Sequence, residues 1–407
     1  MSAPALSASA PDKAVSLWPA FGLGLAVAVG NGLARFAYAL VLPAMQDDLG
    51  WTYTQAGWLN TANALGYVIG AAAGYVLLRR VAPARLFASG LWLTMASLLA
   101  TGLLADEIWL TATRLLAGIG AAWAFSCGGA LVAMRYRGRP EVMGTATGLF
   151  FAGAGIGIAA AGLAVNPLLA TTGVGGWPQA WLALGALAVA LSAWPLVEAR
   201  RGSGGAASDA RPGPLSLSGL LRPLASYFLF AAGYIVYMTF ILAFLREEGW
   251  SWHGATAIWL VLGAAVAISP FAWRPALERW DPRHTLAASC AACLAGTGIL
   301  LLDTSALALV VSALAFGLGV FIAPASVALV VRRAMPPADL AKGMTFFTIL
   351  FALGQAIGPV AAGLIGDASG LSRSLGFGAC LLGAAAILPL VSPRAAEQPP
   401  SRPGDPT

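Results

Sequence analysis

Arg35 and Arg114 are the two basic residues of this 407-residue chain that fall inside long apolar runs rather than in the breaks between them. A guanidinium grips a carboxylate through two parallel hydrogen bonds, so the chemistry they suggest is recognition of an organic anion. Polar side chains recur around Arg35 at helical spacing. Asn31, Arg35 and Tyr38 stand at i, i+4 and i+7, which places them on one stripe of a helix. Asn60, Asn63 and Tyr67 form a second stripe, Tyr234 and Tyr237 a third, and Gln355 adds an amide in a later run. Bond-making chemistry has little to work with. The only histidines, His253 and His284, lie in separate breaks, and no clustered acids or metal-ligand spacings occur. Neither a catalytic centre nor a metal or other cofactor is expected. Cys127, Cys290, Cys293 and Cys380 all fall within apolar runs, and the Cys290-Ala-Ala-Cys293 pair reads as small residues of a packed helix.

The elements that must hold these residues follow from composition. Hydrophobic residues make up 59% of the chain and charged residues 10%, with a mean hydropathy of +0.79. Soluble proteins carry roughly 25% charged residues, so most of this surface must face lipid. Soluble enzymes, secreted scaffolds and nucleic-acid readers are thereby excluded, despite a net charge of +6. Twelve apolar runs, near 17–43, 53–78, 86–105, 108–134, 143–170, 177–197, 224–245, 252–273, 284–302, 304–331, 342–366 and 373–391, predict an all-α polytopic membrane protein. They do not alternate as barrel strands would. Residues 198–222, rich in Gly, Ser, Pro and Arg, read as a linker. The expected organisation is a tail at 1–16, a six-helix bundle at 17–197, the linker, a second six-helix bundle at 223–391 and a tail at 392–407. An even span count puts both termini on one side. Nineteen basic residues lie on that side and two, Arg246 and Arg373, on the other. The positive-inside rule then makes both tails and the linker cytoplasmic, in a multi-pass protein of the cell inner membrane.

Depth brings the arginines together. Arg35 precedes Pro43 by eight residues and Arg114 follows Ile108 by six, which at 1.5 Å per residue sets both roughly 9–12 Å below the same end. A charge at a helix centre costs at least about 2.5–3.5 kcal/mol, so it faces a cavity or a partner. No Asp or Glu lies inside the spans. The substrate is expected to supply the missing negative charge. A coupling proton would then rest on span-end groups such as Asp47, Asp48 or Asp367, or on the substrate. Gly66, Gly70 and Gly74 recur every four residues along span two, and this row predicts close approach of another helix rather than a phosphate loop.

An internal repeat accompanies the two-bundle division. A shift of 199 residues carries Tyr38, Gly50 and Trp51 onto Tyr237, Gly249 and Trp250, and Gly118 and Gly120 onto Gly317 and Gly319. Parallel repeats of six spans are the arrangement of the major facilitator superfamily. Arg114-Leu-Leu-Ala-Gly118-Ile-Gly120 resembles that superfamily's fourth-helix motif. Gly74-Tyr-Val-Leu-Leu-Arg79-Arg80 resembles its basic loop motif, with Leu78 where the family usually has Asp, and Gly354-Gln-Ala-Ile-Gly358-Pro359 resembles its glycine-proline motif. The stretches from Gly32 to Tyr38 and from Asn63 to Tyr67 resemble the YbfB/YjiJ-type branch. The resemblance implies twelve transmembrane helices in two pseudo-symmetric bundles, with spans one, four, seven and ten lining a central pathway. It also implies secondary transport of a small molecule by alternating access, expected from a monomer embedded in the lipid bilayer. Export of neutral or amphiphilic compounds is the alternative, followed by a non-transporting sensor.

Overall fold

Each apolar run becomes a helix in the computed structural model, which describes residues 15–201, 220–335 and 340–391. The first bundle holds α1 (Trp18–Leu49), α2 (Tyr53–Leu77), α3 (Pro83–Thr101), α4 (Glu107–Arg135), α5 (Pro140–Thr172) and α6 (Trp177–Arg201). The second holds α7 (Leu221–Glu247), α8 (Trp252–Ala272), α9 (Pro282–Leu302), α10 (Ala306–Ala334, interrupted at Phe321), α11 (Leu340–Ser369) and α12 (Leu371–Ile387). Ten helices among the described residues are long and apolar enough to cross a membrane. The other two are α12, an apolar helix of 17 residues, and α2, whose 25 residues include Asn60, Thr61 and Asn63 on its buried side. Helices outrun the apolar stretches at several ends. α1 continues through Pro43 to Leu49, and α6 reaches Arg201 while α7 starts at Leu221, so the helices take up both ends of the expected 198–222 break. The tails before residue 15 and after 391, and residues 202–219, lie outside the described residues.

Packing repeats along with sequence. In the first bundle α1 packs on α5 and α6, α4 on α2 and α3, and α3 on α6. In the second α7 packs on α11 and α12, α10 on α8 and α9, and α9 on α12. The 199-residue offset also relates individual contacts. A Cβ at Gly118 would strike the Asn63 carbonyl of α2, and one at Gly317 the Leu262 carbonyl of α8. Gly120 meets the carbonyl of Gly90 on α3, and Gly319 meets that of Ser289 on α9. The turn after α1 repeats as well. Gly50 (φ 66°) and Gly249 (φ 82°) each adopt the left-handed conformation that glycine enters without penalty. Trp51 N–H then donates to the Gln46 carbonyl at 3.1 Å and Trp250 N–H to the Leu245 carbonyl at 2.9 Å. Thr52 and Ser251 follow as N-caps, accepting from the N–H of Gln55 and Gly254.

The glycine row of α2 packs as its spacing predicts: Gly66 lies against the Leu115 backbone and Gly70 against Ile119, both on α4. Between the bundles α2 crosses α11 and α5 crosses α8, a symmetric pair, while the second half of α1 packs on α7. We term the end holding the α1–α2 turn distal and the end where α1 begins proximal. At the distal end the Tyr53 and Thr54 N–H groups of α2 donate to the Asp367 carboxylate of α11, at 2.6 and 3.0 Å, and the Thr54 hydroxyl donates at 2.5 Å. Tyr53 O–H also donates to Glu247 of α7. Two carboxylates of the second bundle thus hold the first turn of α2.

Candidate functional site

Within α1, residues Ala28–Phe36 form a π-helical segment, closed by a 2.9 Å bond from Ala37 N–H back to the Gly32 carbonyl. Two glycines let this wide segment fit: Gly30 lies against Ala121 of α4, and Gly32 against the Gly157 backbone of α5. Each π turn takes up an extra residue, so side chains beyond it rotate by roughly 100° relative to an uninterrupted α-helix. Such segments recur at functional sites, and this one carries Asn31 and Arg35.

Arg35 is 5% exposed. Its Nη2 donates to Gln355 Oε1 of α11 at 2.5 Å, across the interface between the bundles. Gln355 Nε2 in turn donates to the Tyr234 hydroxyl of α7, and the guanidinium lies 5.5 Å from the Tyr67 ring centre of α2. Both rings and the amide are neutral, and Arg35 Nε is buried with no hydrogen-bond partner. Asn31, one turn earlier, is also buried. Four of the residues singled out from sequence, Arg35, Tyr67, Tyr234 and Gln355, therefore meet at one point from four helices and both bundles.

The others go elsewhere. Arg114 is fully buried inside the first bundle, donating from Nη1 to the Ala34 carbonyl in the π segment. Its guanidinium lies 5.2 Å from the Tyr38 ring centre and 5.1 Å from that of Trp181. It contacts the backbone beside Arg35, so the two arginines share a depth although α1 does not end at Pro43. These partners of Arg114 all lie in the first bundle, and its Nε and Nη2, like Arg35 Nε, are buried without a hydrogen-bond partner. Asn63 is drawn inward too, donating to the Arg114 carbonyl at 3.1 Å. Tyr38 leaves the stripe it was expected to share with Arg35. The π segment rotates it, its hydroxyl donates to the Ala56 carbonyl at 2.6 Å, and its ring stacks on Trp181 at 6.4 Å. Tyr237 does the same in the second bundle, paired with Ser312 at 3.0 Å and stacked 3.8 Å from Phe316. Asn60 faces the other bundle, donating to Thr239 of α7 at 2.5 Å, one layer nearer the distal end.

Sequence reading alone passed over an aromatic wall on the proximal side of Gln355. Tyr227, Phe230 and Tyr234 of α7 stack with Phe351 of α11 at 4.7, 6.4 and 5.9 Å, and Phe347 approaches Tyr227 at 6.2 Å. Its signal was present: α7 carries rings at i, i+3 and i+7, and α11 at i and i+4. Rings at helical spacing are equally the mark of a plain core, so pattern alone does not separate the two.

The family model described as "Uncharacterised MFS-type transporter YbfB" matches residues 25–390. Among curated proteins none is similar enough to this chain to register as a relative. Among solved structures, a bacterial homolog to the human lysosomal transporter Spinster, in an inward-facing and occupied conformation, superposes with a TM-score of 0.72. It is 18% identical, over 93% of this chain and 97% of its own. The nucleoside transporter NupG superposes with a TM-score of 0.66 at 14% identity, over 91% of this chain and 97% of its own. At these identities the likeness is one of fold.

Proposed function

Since the chain belongs to the YbfB-type family of major facilitator superfamily transporters, and is thus a membrane transporter rather than an enzyme, we propose that it carries a small organic anion, such as a carboxylate. The anion binds at Arg35, between the two bundles, during alternating access. One observation carries this reading. A buried guanidinium bridges both bundles at the Arg35–Gln355 bond, retains an unpartnered Nε, and has only neutral side chains as its polar partners. A carboxylate would satisfy that donor and neutralise the charge, both of which the amide of Gln355 leaves undone. Gln355 and Tyr234 complete the site from the second bundle, and Tyr67 and Asn31 from the first. The bundle units are 17–201 and 221–391, the tails and the linker between the bundles are cytoplasmic, and the membrane is the inner one, as the placement of basic residues supports. The protein acts as a monomer. Protons couple through a span-end carboxylate or through the substrate itself.

The test is Arg35→Ala beside Arg35→Lys in purified protein, read by ligand-dependent thermal stabilisation and by flux into proteoliposomes with a panel of mono- and dicarboxylates. Removing one partner of a desolvated charged contact costs about 2–5 kcal/mol, at least roughly thirtyfold in affinity at 1.4 kcal/mol per decade. Arg35→Ala should therefore bind at least thirtyfold more weakly while folding normally. Arg35→Lys, which keeps the charge but loses the planar fork, should fall between. Wild-type affinity in Arg35→Ala, or a substrate that proves cationic, ends the anion reading.

A further inference from the structure

Beside the guanidinium, the site is built of rings, and their exposure shows which of them a substrate meets. On α11, Ile349, Leu353 and Ile357 are exposed and mark the lipid face. Phe347, Phe351 and Gln355 recur at i, i+4 and i+8 on the opposite side. Phe347 and Gln355 are buried, whereas Phe351 keeps part of its surface open on this interior face. The first bundle repeats the arrangement. Ile69 and Val76 of α2 are exposed to lipid, and Tyr67, partly open, lies across the helix from Ile69. Tyr67 continues into Phe125 of α4 at 6.4 Å, which meets Phe151 of α5 at 5.8 Å. Tyr67 of the first bundle and Tyr234 of the second thus flank the Arg35–Gln355 pair, each backed by further rings of its own bundle. The rings of Tyr234 and Phe351 lie within 14° of parallel and those of Tyr227 and Phe351 within 20°, so the wall is a stack that another planar ring can extend.

We propose that the anion carried is an aromatic one, its carboxylate on Arg35 and its ring laid against Phe351 and Tyr67. This rests on the anion reading above and sharpens it. An aliphatic acid would gain only apolar burial from these walls. A planar ring gains stacking in addition, which in aromatic pairs amounts to roughly a threefold to tenfold difference in binding. The edge of such a ring is also where a carboxylate attaches, so one rigid molecule spans guanidinium and wall without ordering flexible bonds.

The experiment uses the full-length purified protein and four probes: benzoate, cyclohexanecarboxylate, hexanoate and benzamide. Binding is measured by thermal stabilisation and competition, and carboxylate flux in proteoliposomes. Benzoate should bind roughly threefold to tenfold more tightly than cyclohexanecarboxylate or hexanoate, and benzamide should not compete. Phe351→Leu, which keeps an apolar side chain but no ring, should abolish the preference for benzoate, with hexanoate losing less affinity than benzoate. Phe351→Ala should do the same, with folded yield checked by size-exclusion chromatography. If the three acids bind alike and Phe351→Leu changes nothing, the aromatic inference is overturned while the anion site stands. If benzamide binds as well as benzoate and Arg35→Ala retains both, the anion reading falls and the ring wall survives without it. If no probe binds, both are overturned.

Discussion

Arg35 and Arg114 are one type of residue in one kind of sequence, and only their contacts divide them. Arg35 reaches across to Gln355. Arg114 turns into its own bundle and donates to the Ala34 carbonyl, inside the π segment that presents Arg35. Its task is to hold that carbonyl, whose loss as a partnered group costs about 1–3 kcal/mol, with a cavity between Tyr38 and Trp181 adding to the loss. Arg114→Ala should therefore lower the melting temperature of ligand-free protein, by contrast with Arg35→Ala, which should leave it near wild type. A melting temperature unchanged in Arg114→Ala would show that the π segment holds itself. The sequence marks both arginines, because a charge in an apolar run stands out against any background. Which one faces the other bundle is not legible there, since a stripe drawn at 3.6 residues per turn ignores the extra residue that α1 inserts before Tyr38.

Among the elements, α2 has its first turn held from the other bundle. Its own cap is Thr52, which with Gln55 forms a reciprocal capping box. The Tyr53 and Thr54 N–H groups are then left for Asp367 of α11. Negative charge at a helix N-terminus is favourable, so the carboxylate closes the distal end by completing a helix. Opening that end must give up three hydrogen bonds to a charged group, each contributing about 1.5–3 kcal/mol. Asp367→Ala should shift the molecule toward distal opening. The readout is a cysteine at Ala243, between Thr239 and Glu247 on α7, in a Cys380→Ser background. Its labelling by an impermeant thiol reagent applied from the distal side should rise at least roughly tenfold. Equal labelling with and without Asp367 would remove the latch. Helix positions were legible from apolar runs to within a few residues, because lipid demands about 20 apolar residues per crossing. The latch was only half legible: Asp367 stands out at a span end, but nothing in the chain says that Tyr53, some three hundred residues earlier, lies beneath it.

For the whole molecule, the repeat was the most readable feature, since the offset that aligns Gly118 with Gly317 also aligns the backbone each touches. Side-chain chemistry obeys it less. Tyr38 and Tyr237 both turn into their own bundles, whereas Arg35 has Tyr234 at the matching position, so charge sits in one half and its neutral partners in the other. Orientation is tested by reporter fusions at Gly202 and Gly249. Nineteen basic residues against two predict a cytoplasmic signal at the first and a periplasmic signal at the second, and matching signals would break the twelve-span arrangement. That lopsided placement of charge has an electrical consequence. An empty carrier holds its guanidinium within the membrane field with no carboxylate beside it. Carrying one elementary charge across the full field changes the energy by about 2.3 kcal/mol per 100 mV, and a rocking motion moves it through a fraction of that. Arg114 adds a second buried charge at the same depth, so a bound monovalent anion lowers the moving charge from two to one, and voltage acts more strongly on the unloaded return than on the loaded crossing. The membrane potential would then set how quickly the protein resets for its next turnover.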